Sequence, residues 1–182
     1  MDIETNLLNI LLEKPNTKDI LSIATEIESN SKFVLNRDIE KLKGIWELRW
    51  SSSNAPFLKY SPLIDNLQIL NPSKSSAMNL LKPRGINRII GTGIVAKLHP
   101  LNDIRIGVKF THAGFIGPSI GFTKLKALVK IKKEQKGWLD ITYLSDNLRV
   151  CRGDKGTLFI LRKRKDDELF NRFEVFIKKI YH

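Results

Sequence analysis

The sequence predicts a mainly β chain: an antiparallel barrel of about eight strands, preceded by helices and followed by one amphipathic helix. Three observations predict it. Apolar residues keep helical spacing before Gly44, alternate strictly after it, and return to helical spacing after Asp166. The alternating segments place polar residues on the opposite parity, with turn residues between them, as expected of an antiparallel barrel or sandwich. Trp46 opens the series, and Thr142–Arg162 closes it with a strand, a polar turn and a last strand, which read as two ends of one closed sheet. The expected organisation is one domain over 1–182: helical over 1–43, sheet over 44–164, helix over 166–182.

The helical ends follow from spacing and caps. Ile3, Leu7, Ile10 and Leu11 share a face, and Ile20, Ile23, Ala24 and Ile27 repeat it after Pro15. Asn16 can cap the second helix, with Asp19 near its positive end. A short third piece follows Asn36, carrying Ile39 and Leu42, and Gly44 stops it. At the other end Asp166 can cap a helix whose Leu169, Phe170, Phe173, Phe176, Ile177 and Ile180 share a face, with Lys178 and Lys179 at its negative terminus.

Between them, Trp46, Leu48 and Trp50 alternate with Ile45, Glu47 and Arg49, and Ile104, Ile106, Val108 and Phe110 with polar neighbours. Leu125, Ala127, Val129 and Ile131 alternate with lysines, then come Leu139, Ile141 and Tyr143, Leu148 and Val150, and Leu158 and Ile160. Weaker strand patterns lie at 66–70, 77–81 and 86–98. Asp154-Lys155-Gly156 has the chemistry of a hairpin turn, because aspartate and glycine tolerate positive φ.

Composition excludes several functions. Cys151 is the single cysteine, so no internal disulfide forms, and with His99, His112 and His182 it offers no metal-ligand spacing. No metal and no cofactor is expected. The start has neither a basic secretory leader nor the Arg- and Ser-rich character of a transit peptide. Thr111–Thr123 is uncharged but too short and glycine-rich to span a bilayer. These features predict a cytoplasmic or membrane-peripheral protein. The net charge of +12 suits nucleic acid or an anionic membrane, but Lys124, Lys126, Lys130 and Lys132 spread along a strand without a nucleic-acid-reading motif. Solvated strand faces account for them, and nucleic acid is not the expected partner.

Three motifs fail in context. Gly117-Pro118-Ser119-Ile120-Gly121 matches a nucleophile elbow, but that needs a following helix, and strand-like alternation follows instead. A mobile apolar loop at a barrel mouth is the alternative. Gly91-Thr92-Gly93-Ile94-Val95-Ala96 imitates a dinucleotide fingerprint, yet His99-Pro100 ends the segment before a helix could hold a pyrophosphate. A bent strand explains both glycines better. Arg152-Gly153-Asp154 belongs to the hairpin. With no carboxylate pair or activated nucleophile standing out, no enzyme activity is expected.

Two segments carry a family resemblance. Leu42–Ser53, LKGIWELRWSSS, resembles the opening strand of the plastid lipid-associated protein (fibrillin) family within the lipocalin-like, or calycin, superfamily. Thr142–Leu161, TYLSDNLRVCRGDKGTLFIL, is similar to that family's closing signature. Trp50 stands where the family usually has tyrosine, and Pro72–Phe122 matches only loosely. The resemblance implies a lipocalin-like barrel that binds or stabilises lipids, carotenoids or isoprenoid quinones at photosynthetic membranes, without established catalytic residues. The absent transit peptide makes the chain look like a cyanobacterial member, peripheral to thylakoids. A protein partner in isoprenoid or photosynthetic metabolism is a further implication. Two alternatives stand beside this reading: a calycin-type bilin lyase, which the basic surface could suit, and a pocketless scaffold for an isoprenoid-synthesis enzyme.

An eight-stranded barrel can hold one apolar ligand. Tilted strands give a depth on the order of 20–25 Å, and each buried methylene contributes about 0.8 kcal/mol before ordering costs. The expected lining is Trp50, Ile106, Val108, Phe110, Leu139, Ile141 and Tyr143, with the Tyr143 hydroxyl as polar handle. Trp46 is structural: the calycin pattern implies a late-strand cation on its ring, and parity with Leu148 and Val150 selects Arg152, then Arg149. Phe170, Phe173, Phe176, Lys178 and Lys179 are membrane-surface candidates, but packing of this helix on the barrel wall is the favoured reading, since basic amphipathic helices usually pack.

Overall fold

A computed structural model of the chain describes residues 2–13, 16–55, 58–86, 88–120 and 123–181, and for 119–120 and 123–126 the backbone alone. Helices α1 (Ile3–Ile10) and α2 (Thr17–Ser29) lead into a short α3 (Leu35–Asp38) and a 3-10 turn (Ile39–Leu42). The Asn16 side chain accepts from the Lys18 N–H at 3.0 Å, capping α2 as expected. The third piece starts one residue before Asn36, and there the Asp38 carboxylate accepts from the Val34 N–H (3.1 Å).

Eight antiparallel strands follow: β1 (Gly44–Ser51), β2 (Ile64–Asn71), β3 (Ser76–Pro83), β4 (Gly91–Pro100), β5 (Arg105–Ile120), β6 (Thr123–Leu144), β7 (Leu148–Gly153) and β8 (Leu158–Arg164). Each pairs with its neighbour in sequence, and β8 returns to β1, closing the sheet. Opening and closing segments therefore are two ends of one ring, in register at Trp46↔Lys163 and Leu48↔Leu161.

The ring buries apolar residues on both faces. Trp46, Leu48, Leu70, Ala96, Leu98, Ile106, Ile141, Cys151, Phe159 and Leu161 form the interior cluster. Outside, Leu148, Val150, Leu158 and Ile160 are covered by α1 and α2. On the opposite wall Ile45, Leu67, Ile69, Met78, Leu80 and Val95 are covered by α4 (Asp167–Tyr181). Asp166 caps α4 by accepting from the Leu169 N–H at 3.1 Å. Glu174 fastens the helix to Asn71 (2.7 Å), and the Tyr181 hydroxyl lies 3.0 Å from that of Thr111.

Charges buried outside the ring are paired. Lys82 and Asp65 are both fully buried and bonded at 2.8 Å, and Arg164 adds a second donor to Asp65 at 2.9 Å. Tight glycines mark close approaches. A Cβ at Gly91 (φ +135°) would lie 2.0 Å from the Leu81 carbonyl oxygen, so this glycine belongs to a strand start and not to a phosphate loop. Gly156 (φ +72°) closes the β7–β8 turn by donating to the Gly153 carbonyl.

The alternative of a mobile apolar loop at Gly117–Gly121 is corrected over its described residues, Gly117–Ile120. Strand β5 continues to Ile120 and pairs with β6, so Gly117–Ile120 lies at the end of a strand. No helix follows, and the elbow geometry is absent. The side chains of Ser119, Lys124, Leu125 and Lys126 lie outside the described residues, as do Pro15, Gly121, Phe122 and His182.

Candidate ligand cavity

One end of the ring is plugged. Leu35, Ile39 and Leu42 from α3 and the 3-10 turn pack into the interior cluster beside Trp46. The Trp46 Nε1–H donates to the Leu42 carbonyl at 2.8 Å, tying the plug to the first strand. Lys163 Nζ donates to the carbonyls of Lys41 (2.9 Å) and Lys43 and sits 4.5 Å from the Trp46 ring centre. Burial and the neighbouring Arg149 push the Lys163 ammonium down to about 8.

Above this floor the interior is not filled by side chains. A cavity of about 380 Å³ runs toward the end where Lys136, Gly137, Asp154 and Lys155 form the rim. That size falls within the range of small-molecule sites. Its walls include Leu70, Ala96, Leu98 and Phe159, with Gln68 and Asn79 as neutral polar groups. Arg149, fully buried, also lines it.

Of the expected lining, Ile106, Val108, Phe110, Leu139 and Ile141 face this cavity. Trp50 and Tyr143 do not. Both lie outside the ring in the cluster formed with α1 and α2. The cause is a bulge in each strand. Leu48 and Trp50 face consecutive partners, Leu161 and Ile160, and Ile141 and Tyr143 face Cys151 and Val150. One extra residue inverts the inside–outside alternation beyond it. The Tyr143 hydroxyl therefore donates to Glu4 of α1 at 2.9 Å, beside a Ser145 hydroxyl doing the same. Burial and the Glu4 charge raise the phenol to about 12.

Arg152 is likewise corrected. It does share a face with Leu148 and Val150, but that face is the outer one, and its guanidinium forms a two-point bond to Glu28 of α2 (2.9 and 2.6 Å). The cations on Trp46 are Arg149, 5.1 Å from the ring centre, and Lys163. Pairing the first strand antiparallel with the last would have brought Lys163 forward, since it stands directly opposite Trp46.

On α4, Phe173 and Phe176 are buried against the sheet and Phe170 is partly buried, so the helix packs on the wall and its phenylalanines are not a membrane surface. Lys178 and Lys179 remain exposed. Cys151 is wholly buried, and burial raises its thiol, which disfavours the reactive thiolate. Among the described residues no group of His, Cys, Asp and Glu could hold a metal, and no helix is long and apolar enough to cross a membrane.

The PAP_fibrillin family model matches residues 8–162, from α1 through most of β8. The chain belongs to the PAP_fibrillin family. A relative from Arabidopsis thaliana, "Probable plastid-lipid-associated protein 12, chloroplastic", is 66% identical over 32 residues, which cover 16% of this chain and 8% of that protein. The chain thus matches only a small part of that relative's length. No solved structure matches it. Membership of the PAP_fibrillin family associates the chain with plastid-lipid-associated proteins, a family that is generally structural.

Proposed function

We propose that this PAP_fibrillin chain is a non-catalytic carrier that holds a small hydrophobic molecule, such as a lipid, carotenoid or isoprenoid quinone, inside the ring. The observation that carries the reading is the unfilled interior above Trp46, about 380 Å³ in volume. Globular interiors are close-packed, and voids larger than a water molecule are few. Apolar walls of Leu70, Ala96, Leu98, Ile106, Val108 and Phe110 stabilise an apolar guest by about 0.8 kcal/mol per methylene removed from water.

The whole chain serves that container as one unit. The segment before β1 supplies the plug, α1, α2 and α4 cover the outer wall, and the β7–β8 turn edges the entrance. With the phenylalanines of α4 committed to the wall, contact with a photosynthetic membrane would be peripheral and brief, for loading and unloading.

The test is to purify the protein gently from a photosynthetic host, extract it with organic solvent, and identify what is released by mass spectrometry. A stoichiometric apolar molecule supports the carrier reading. An empty extract from well-folded protein refutes it and makes the lining ordinary core.

A further inference from the structure

Arg149 is charged, wholly buried and inside the cavity, and its surroundings are unlike those of the other buried charges. Asp65 is met by Lys82 and Arg164, Glu47 by Arg49 and Arg84, and Asp38 by Arg37 and Lys41. Arg149 has no carboxylate partner among the described residues. Its guanidinium donates to the Gln68 side-chain oxygen and lies near the Trp46 ring and the Cys151 thiol, while its Nε–H is buried with no acceptor. An isolated buried cation costs several kcal/mol, and a donor left unmade adds to that. Lys163 nearby adds a second positive charge.

We propose that the ligand is an amphiphile with one carboxylate, which enters tail and head along the cavity so that the carboxylate rests on Arg149 above Trp46. This rests on the carrier reading and narrows its ligand class. Guanidinium and carboxylate match as a planar, charge-assisted pair, and the free Nε–H supplies one of the two donors such a pair uses. The neutral Gln68 and Asn79 side chains complete a polar patch at one end of apolar walls, which fixes the guest head-first.

The experiment titrates the delipidated full chain with dodecanoate and with methyl dodecanoate, in wild type and in Arg149→Met, by calorimetry. The wild type is expected to bind the acid about ten- to a hundredfold tighter than the ester. In R149M that preference should vanish while ester binding persists, and the melting temperature should not fall, since an unpaired buried charge has been removed. Equal affinities in the wild type overturn the anchor and leave the apolar carrier standing. Binding of neither probe overturns the carrier reading and the anchor with it. Should R149M not fold, carboxyl-13C dodecanoate bound to the wild type gives the answer: its carboxyl should titrate well below that of the free acid, and an unshifted titration refutes the contact.

Discussion

Replacing Phe173 with alanine tests whether α4 is part of the fold or a membrane anchor. Phe173 is fully buried between the helix and the outer wall, in one cluster with Ile45, Leu67, Ile69, Met78 and Leu80. The sheet beneath is hydrogen-bonded on both sides, and α4 is held by Glu174 to Asn71 and by Tyr181 to Thr111. The void left by the ring cannot collapse easily. A Phe→Ala change at such a site costs about 3–5 kcal/mol. Phe176, slightly exposed, should cost less, and the half-buried Phe170 least. Urea denaturation followed by circular dichroism reads these losses as shifts in midpoint at unchanged slope. If F173A costs under about 1 kcal/mol and instead abolishes sedimentation with anionic vesicles, the packing argument is wrong.

Asp65→Asn should destabilise by about 3–5 kcal/mol, because it leaves Lys82 charged and buried without its partner; replacing both by apolar residues should cost far less in the same melts. Arg37 and Lys41 hold the Asp38 carboxylate well below the usual range of 3.8, so its contribution is present above that value and is lost as acid lowers the pH through the depressed one. Asp38→Asn should flatten the acid limb of a stability–pH curve, and an unchanged limb would refute the role. The Tyr143 phenol is raised from 10.0 to about 12, so its stabilising contact is complete below pH 10 and fades as pH rises toward 12. An ultraviolet titration should show a tyrosine ionisation step near pH 12, and that step should be missing in Tyr143→Phe.

The architecture was legible where a period survives uninterrupted. The switch of spacing at Gly44 placed β1, and the alternation through Ile106, Val108 and Phe110 placed cavity-facing residues on β5. Two bulges were not legible, because a single added residue in β1 and in β6 leaves the apolar pattern looking continuous while reversing its faces. Strict alternation therefore points Trp50 and Tyr143 inward, although both face out. In β7, Leu148, Arg149, Val150 and Cys151 are all buried, since helices cover the outside of the ring. Alternation there carries no information about which side is inside, so it cannot separate Arg149 from Arg152. Likewise the apolar face of α4 and its packing on the wall were readable, but the residues it meets there were not, because the outer apolar residues of β2, β3 and β4 come from three separated, weakly patterned segments.

On the proposed function, the interior above Trp46 is space for a guest. Ala96 is buried and lines that space, so Ala96→Phe would fill it without disturbing the plug or the outer wall. Wild type and A96F should be purified side by side from a photosynthetic host and weighed intact by native mass spectrometry. A guest-holding cavity gives a ligand-bearing mass for the wild type and a bare mass for a folded A96F of equal or higher melting temperature. The same ligand retained by both proteins, or a bare wild type, would contradict it.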